Sequence, residues 1–435
     1  MMNRMLHSLQ VSSEQDGTIP SSKIKKRLLI VGCGPAGMLV AKRTRSIFDV
    51  LVVEPKDYFE FTPGILRGIC NPDDLKQIQC PLQPRVSWVQ GIVTHLSSRH
   101  ATIVVIGKEH NLVPSQFRAL HSNPDDSLEI EFDYCVVASG SAYPTSSLWK
   151  VSPSSQDGKD FSMAGRYSQI TSEHKTLERL DNSAGTVCIV GAGLVGVEFA
   201  AEICVYFPQI KIYLVDLAPT ILSSFPTTAR DYAYSWLTKR GVRIATNSTL
   251  EHTNEKFDVV YSCVGVKATA ENFMPVSTIN PKGEIVVNTA LQILLTSHNT
   301  ETAVEKKASA PSLFGNGRIF AVGDCVHVLG LENALTKDTY PAEAMAGIVV
   351  KNLTRSRTVH FSQNHHCHRM YQIKPLMQMT LCSLGPHECI FIINGYFVLQ
   401  GPLATFLKWF IQHTKMSEAR NELLGTCIWG AVPHF

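Results

Sequence analysis

The sequence predicts an α/β chain with two parallel-sheet units and an α+β C-terminal region, on three observations. Two glycine-rich turns, Gly32-Cys33-Gly34-Pro35-Ala36-Gly37 and Gly191-Ala192-Gly193-Leu194-Val195-Gly196, each follow an apolar run and open a helix-like stretch. Each is followed by a second apolar run that ends in an acid, Val50-Leu51-Val52-Val53-Glu54 and Ile212-Tyr213-Leu214-Val215-Asp216. A further strand-like run, Arg318-Ile319-Phe320-Ala321-Val322, returns long after the first unit is complete.

The physics of the two turns is the same. Each comes after a strand of buried character, Arg27-Leu28-Leu29-Ile30-Val31 and Thr186-Val187-Cys188-Ile189-Val190. The first glycine makes the tight turn and the second lets backbone approach a pyrophosphate. The third lets the helix pack closely on the sheet. The free N–H groups and positive dipole end of the helix then face the phosphates. Glu54 and Asp216 lie at the interval where a carboxylate accepts hydrogen bonds from ribose hydroxyls. A glycine turn that only packs a helix on a sheet is the plainer reading of either motif alone. Two turns and two acids together predict two Rossmann-like units holding two dinucleotides.

Composition is that of an ordinary globular chain. The 435 residues are too many for one core. With 44% hydrophobic residues, 18% charged and a net charge of +3, nucleic-acid binding has no electrostatic support. The 12 cysteines are scattered, at positions such as Cys33, Cys135, Cys188 and Cys263 within apolar strands or turns, and no pair has C-x-x-C spacing. They read as buried free thiols in a reducing compartment. The cluster His365-His366-Cys367-His368 lacks a second ligand pair and reads as a polar loop, so no metal is expected. No stretch reaches the roughly 18 apolar residues of a membrane span.

Along the chain, residues 1–23 are polar and Ser-rich and hold Glu14 and Asp16 beside a single arginine, Arg4. They read as a disordered tail or a short targeting peptide over roughly the first ten residues. Residues 24–180 and 291–360 are assigned to the first unit, with a polar interruption near 107–128 and a Ser-rich connection with some helix over 145–180. Residues 181–290 are assigned to the second unit, and 361–435 to the C-terminal region. Thr296 to Asn316 has no hydrophobic periodicity and reads as a flexible insertion.

The segment Phe320-Ala321-Val322-Gly323-Asp324 makes the resemblance specific. With the two turns, it resembles the FAD-dependent pyridine nucleotide oxidoreductases, in which the NAD(P)H domain is inserted within the FAD domain. Two further runs are similar to family signatures: Ala138-Ser139-Gly140 to the A-T-G turn closing the FAD domain, and Tyr261-Ser262-Cys263-Val264-Gly265 to its NAD(P)H counterpart. The resemblance implies FAD at Gly32, Gly34, Pro35, Ala36, Gly37, Glu54 and Pro55, with Asp324 on the ribityl chain. It implies the nicotinamide cofactor at Gly191, Gly193, Gly196, Asp216 and Gly265. Asp216 would repel a 2′-phosphate, and no arginine follows within Leu217-Ala218-Pro219-Thr220, so NADH is preferred over NADPH.

Disulfide reductases of this family carry a C-x-x-x-x-C pair a few residues after the first acid, whereas here no cysteine lies between Glu54 and Cys70. Electrons then leave the flavin directly. The run Asp57-Tyr58-Phe59-Glu60-Phe61-Thr62-Pro63-Gly64-Ile65-Leu66-Arg67 resembles that of type II NADH dehydrogenases and of the ferroptosis-suppressor quinone reductases, in which the Thr-Pro turn, here Thr62-Pro63, lies against the flavin. Val197-Glu198-Phe199-Ala200-Ala201-Glu202 matches their V-E-x-A-x-E pattern, which implies Glu198 at the gap between nicotinamide and isoalloxazine. An ordinary i, i+4 pair of Glu198 and Glu202 on a solvated face is the alternative.

Lys337 begins a stretch, running through Ala342 to Ala346, that resembles the helix whose N-terminus points at the flavin pyrimidine ring. A helix N-terminus there stabilises the negative charge of the reduced ring. Lys337 matches a lysine of the ferroptosis-suppressor branch, where type II dehydrogenases more often carry Gln in the neighbouring turn. A solvated loop lysine is the alternative.

In the C-terminal region, apolar residues at 403, 406, 407, 410 and 411 keep helical spacing, with Lys408, His413 and Lys415 read as flanking them and Trp409 as interfacial. Such a helix can lie on a membrane surface and admit a lipid-soluble quinone. Core packing or a homodimer contact is the alternative. The sequence thus predicts a non-pumping NADH:quinone oxidoreductase at a mitochondrial membrane surface or the cytoplasmic face of another membrane. An NADH-sensing signalling flavoprotein related to apoptosis-inducing factors is the second reading.

Overall fold

The computed structural model describes residues 25–431 apart from 107–112, 118, 123–126, 144–145, 152–157, 254, 297–311, 333 and 359–369. The N-terminal tail, the His365–His368 cluster and most of the 296–316 insertion therefore lie outside the described residues.

The first unit is an eight-stranded sheet in the order Ile319–Ala321, Tyr134–Val137, Arg27–Val31, Asp49–Glu54, Ser87–Leu96, His100–Val105, Ser127–Glu131 and Ala119–Ser122. The first five strands are parallel. The last three add antiparallel. Leu28, Leu29, Ile30, Val136, Phe320 and Ala321 are wholly buried, which is why these strands are continuous apolar runs rather than alternating ones. The second unit is a parallel sheet in the order Arg243–Ala245, Lys211–Val215, Thr186–Val190 and Val259–Ser262. All four of its strands fall in sequence between Tyr134–Val137 and Ile319–Ala321, which are neighbours in the first sheet. The second unit is thus inserted within the first.

The two chain crossings run side by side. Ser141–Ala142 leaves the first unit and pairs antiparallel with Lys267–Ala268, which returns to it. Trp149 Nε1 donates to the Ser262 carbonyl across this junction at 2.7 Å. The return comes ahead of the boundary at 290 expected from sequence, because Ile285–Val287 pairs with Val326–Val328 in the first unit instead of extending the second sheet. An apolar run of three residues carries no mark of which sheet it will join.

The connection at 145–180 holds a 20-residue helix, Met163–Asn182, capped by Ser162, whose side chain accepts from Gly165 N. Its Arg166 is fully buried and forks onto Glu60 at 3.0 and 3.2 Å. The carbonyls of Ser147 and Leu148 satisfy the remaining guanidinium hydrogens, together with Gln169. The C-terminal region is an antiparallel sheet, Met379–Ser383, Cys389–Ile393 and Phe397–Gln400, followed by helices Pro402–Ala419 and Leu423–Ala431. No described helix is long and apolar enough to cross a membrane.

One sequence expectation is corrected here. Lys408 and Lys415 do not flank an amphipathic face but turn inward. Lys415 is buried against Glu343 at 2.6 Å and lies 3.6 Å from the centre of the Trp429 ring. Leu403, Phe406, Trp409 and Phe410 remain exposed. Phe406, Trp409 and His413 stack along that exposed side.

Candidate active site

The two glycine turns are built alike. Gly32 and Gly191 have φ of 97° and 103°, a region that glycine alone enters without strain. A Cβ on Gly37 would lie 2.0 Å from the Gly32 carbonyl oxygen, and one on Gly196 would lie 1.8 Å from that of Gly191. A Cβ on Gly34 or Gly193 would meet nothing within 4 Å. The outer glycines are required by the protein itself, whereas the middle ones open onto free space, as a site for a pyrophosphate demands. Gly34 and Gly193 cap helices Pro35–Thr44 and Leu194–Tyr206 with no side chain on the free N–H groups, and Ala36 is buried in the first turn of its helix.

The acids close the two turns in the same way. Glu54 Oε2 accepts from Cys33 N at 2.7 Å, and Asp216 Oδ2 accepts from Ala192 N. Asp216 Oδ1 also accepts from Ala218 N at 2.7 Å. Ala138 and Ser139 pack on Gly32, and Cys263 with Val264 packs on Gly191. Gly140 and Gly265 follow these with φ of 71° and 83°. Pro55 follows Glu54, and its carbonyl accepts from Gln90.

Asp324 follows Gly323, whose φ is 84°. Its Oδ2 accepts from Ser141 Oγ at 2.8 Å and from Lys150 Nζ at 3.3 Å. Ala342, buried in helix Thr339–Thr358, lies under Gly323, 3.6 Å from where a Cβ would stand.

A cavity of about 380 Å³ lies where the first unit, the second unit and the C-terminal region meet. Pro63 and Arg67 come from the first, Glu198 and Glu202 from the helix that opens the second, and Ser383 and Lys408 from the third. Glu198 and Pro63 of the Thr62-Pro63 turn therefore line one cavity, and Thr62 is not in its lining. Glu198 is buried, and its Oε1 accepts from Ser383 N at 2.7 Å and from Lys408 Nζ at 2.8 Å. Lys408 Nζ also donates to Ser383 Oγ. Burial opposes the Lys408 charge, but the Glu198 carboxylate outweighs it and holds this ammonium above the ordinary lysine range.

Glu202 is more deeply buried and takes both Nε and Nη2 of Arg67, at 3.1 and 2.8 Å. Burial pushes the Glu202 carboxyl up against the pull of Arg67. The solvated-face alternative for Glu198 and Glu202 is corrected, since both acids point into the protein and each has a cation from another segment. Lys337 does not line this cavity. It forms an ion pair with Glu284, which also faces His327 at 3.7 Å.

Sequence reasoning did not single out Arg67, Glu202, Ser383 or Lys408 as site residues. Arg67 closes the run that resembles type II dehydrogenases and Glu202 closes the V-E-x-A-x-E pattern, so two of the four stood inside motifs already noted. Nothing local marks Ser383 or Lys408. The described cysteines are all free. Burial holds the Cys70 thiol well above the ordinary range, which leaves it without thiolate character.

Residues 26–347 match the family model described as pyridine nucleotide-disulphide oxidoreductase. The chain is 25% identical over 414 residues to apoptosis-inducing factor homolog A of Dictyostelium discoideum, covering 85% of this chain and 86% of that one. It is 26% identical over 265 residues to the external alternative NADH-ubiquinone oxidoreductase, mitochondrial, of Yarrowia lipolytica, covering 54% of this chain and less than half, 44%, of that relative. Its fold is shared with NDH2 of Plasmodium falciparum, solved in complex with NADH, at a TM-score of 0.64 and 14% identity over 94% of this chain and 100% of that one. With the matched segment spanning most of its length and both of its glycine turns, the chain belongs to the pyridine nucleotide-disulphide oxidoreductase family.

Proposed function

We propose that the chain is a FAD-dependent NADH:quinone oxidoreductase that works at a membrane surface and pumps no protons. The observation that carries this reading is the cavity. Its lining joins the largely buried ion pair of Glu198 and Lys408 with Pro63 and with the exposed Phe406 and Trp409. A polar recess with an aromatic approach suits a molecule with a polar head and an apolar tail, and its volume is in the range of small-molecule sites.

Bound FAD would supply the two-electron link between nicotinamide and quinone. The chain's own part is binding and placement. The space over Gly34 admits the pyrophosphate of FAD and the space over Gly193 that of NADH, while Glu54 and Asp216, which accept from N–H groups of the two turns, would also accept from the ribose hydroxyls. Asp324 would offer its carboxylate to the ribityl hydroxyls, and Glu198, from the resemblance of its V-E-x-A-x-E helix, would face the gap between the two rings. Stacking at near-attack distance needs orientation and no strong acid or base. With no thiol pair after Glu54 and with Cys70 buried, nothing on this path resembles a dithiol relay. A quinone seated in the cavity is the direct acceptor.

The exposed aromatic side of helix Pro402–Ala419 would lie in the headgroup region, so that a lipid-soluble quinone enters from the membrane. The Yarrowia relative is described as mitochondrial, which favours a mitochondrial membrane over the cytoplasmic face of another. The test is NADH oxidation by the purified yellow protein with and without a short-chain ubiquinone, with flavin absorbance followed together. Bleaching by NADH and repeated recovery with quinone is the expected result. Bleaching that quinone leaves in place for minutes would overturn it, and would favour the NADH-sensing reading that the likeness to an apoptosis-inducing factor homolog supports.

A further inference from the structure

We propose that Asp338 takes up a proton from solvent when the bound flavin is reduced and releases it on reoxidation, a role that rests on FAD at the first glycine turn and not on the identity of the electron acceptor.

Helix Thr339–Thr358 starts at the same edge of the first sheet as the Gly34 turn. Ala342, in its first turn, lies against Gly323, just past the carboxyl end of strand Ile319–Ala321. Gly34 caps its own helix just past the carboxyl end of strand Arg27–Val31, in the parallel part of the same sheet. Ligands of such sheets lie along this edge. A dinucleotide with its pyrophosphate over Gly34 and its ribityl chain at Asp324 carries its ring on toward the start of this helix, as the sequence resemblance also implies.

Free N–H groups at a helix N-terminus present a positive field, which favours the negative charge of a reduced flavin. Here an acid intercepts that field. The Asp338 carbonyl accepts from Ala342 N at 3.2 Å, which makes Asp338 the cap of the helix. Its Oδ1 accepts from Thr339 N at 2.6 Å, its carboxylate also faces Tyr340 N, and Pro341 has no N–H to give. An ionised Asp338 cancels much of the helix end, and a protonated one restores it.

No cation among the described residues neutralises this acid. From the sheet it faces Asp324, of the same sign, whose own cation is Lys150 at 3.3 Å. On its own helix Glu343 is taken by Lys415, and its neighbour Lys337 is drawn to Glu284, which His327 also faces. Asp338 is half-buried, so it keeps a path to solvent. Burial, with Asp324 adding to it, holds its carboxyl above the ordinary aspartate range.

Hydride transfer from NADH brings two electrons and one proton, and so one negative charge, to the flavin. That charge raises the proton affinity of the nearby carboxylate further, and one proton from water neutralises it. An acceptor of two electrons and two protons then removes the electrons, the proton that came with the hydride and the one held by Asp338. The cycle closes with no added reagent.

The test is the flavin midpoint potential against pH, by spectroelectrochemistry on the full chain loaded with FAD, in wild type, Asp338→Asn and Asp338→Ser. Asn and Ser both cap helices, so these variants remove the charge and keep the cap. At acid pH the three potentials should coincide, because Asp338 is protonated in both redox states. As pH rises the variants should become easier to reduce, by about tenfold in the reduction equilibrium or about 30 mV for two electrons, and the gap should then hold steady. Potentials that coincide at every pH overturn the proposal. An offset that does not change with pH overturns it too, since it marks a charge that never takes a proton. If both variants lose flavin, the wild type decides alone: its reduced-minus-oxidised infrared spectrum should gain the carbonyl band of a protonated carboxyl, and a spectrum without that band overturns the proposal. A chain that takes up no flavin overturns the cofactor assignment instead, which absorbance shows before any potential is measured.

Discussion

Two alanine substitutions three residues apart in the second glycine turn should have opposite effects. Gly193 has φ −74° and ψ −166°, a conformation alanine adopts without strain, and its added methyl would meet nothing within 4 Å. Gly193→Ala should therefore leave the fold intact or stabilise it by about 0.4–1 kcal/mol, through the lower entropy of the unfolded chain. The methyl would nonetheless fill the space through which a pyrophosphate reaches the helix N–H groups. Losing one or two charge-assisted hydrogen bonds there costs about 3 kcal/mol, roughly a hundredfold in NADH affinity.

Gly196→Ala should do the reverse. Its Cβ would stand 1.8 Å from the Gly191 carbonyl oxygen, where ordinary contact begins at 3.4 Å. The start of helix Leu194–Tyr206 would have to move off its strand, at a cost of about 3 kcal/mol. The assay is NADH-driven flavin bleaching against NADH concentration, read beside melting temperature and flavin content. A Gly193→Ala protein that binds NADH as the wild type does would refute the claim that this turn faces a pyrophosphate. One that loses FAD and keeps NADH would show that the two turns are assigned in the wrong order.

Three further outcomes are expected. Arg67→Met strands the Glu202 carboxylate, which is 2% exposed, and should destabilise the protein by about 3–5 kcal/mol; an unchanged melting temperature would show that the pair is not structural. Burial raises the Glu60 carboxyl but Arg166 outweighs it, leaving Glu60 below its ordinary range. Its stabilising contribution is then fully present above about pH 4.3 and lost as pH falls through the depressed folded value. The gap in melting temperature between wild type and Glu60→Gln should narrow on acidification into that range, and a gap that stays constant contradicts the assignment. Replacing exposed Phe406 and Trp409 together by Ser should weaken flotation with phosphatidylcholine liposomes carrying some anionic lipid, roughly tenfold to a hundredfold; wild-type flotation would place the contact elsewhere.

What was legible in the sequence follows from how local the cause is. A glycine turn is dictated by φ at one residue and by contact between residues five apart, so Gly32 with Gly37 and Gly191 with Gly196 could be read directly. The paired acids were legible because a strand of fixed length carries them back to the turn. The insertion was legible through Asp324, since a strand end returning late implies a sheet left unfinished. The boundary at 290 was not, because the short run Ile285–Val287 is equally apolar whichever sheet takes it.

The inward turn of Lys408 and Lys415 was illegible for a stronger reason. Helical periodicity places a residue on a face but says nothing of a buried carboxylate supplied by another segment, and here Glu198 and Glu343 override the pattern. Glu202 was misleading for the same cause: at i, i+4 from Glu198 it looks like part of a solvated acidic face until Arg67 arrives from the first unit.

These differences also indicate where the chemistry is specialised. The two turns repeat one design, with outer glycines in the same places, an open middle glycine, and an acid, Glu54 or Asp216, accepting from the N–H of the residue after the first glycine. Whatever distinguishes this oxidoreductase from others with that design must come from elements present once. The cavity is such an element, and no unit completes it alone: Glu198 comes from the second unit, Pro63 and Arg67 from the first, and Ser383 and Lys408 from the C-terminal region. A shift of helix Pro402–Ala419 would move the aromatic approach and the Lys408 charge together, because one rigid element carries both. A substitution on the exposed side that tilts the helix should for that reason register at Glu198 without touching it, and the proposed contact of that helix with a membrane would be coupled mechanically to the arrangement of charge there.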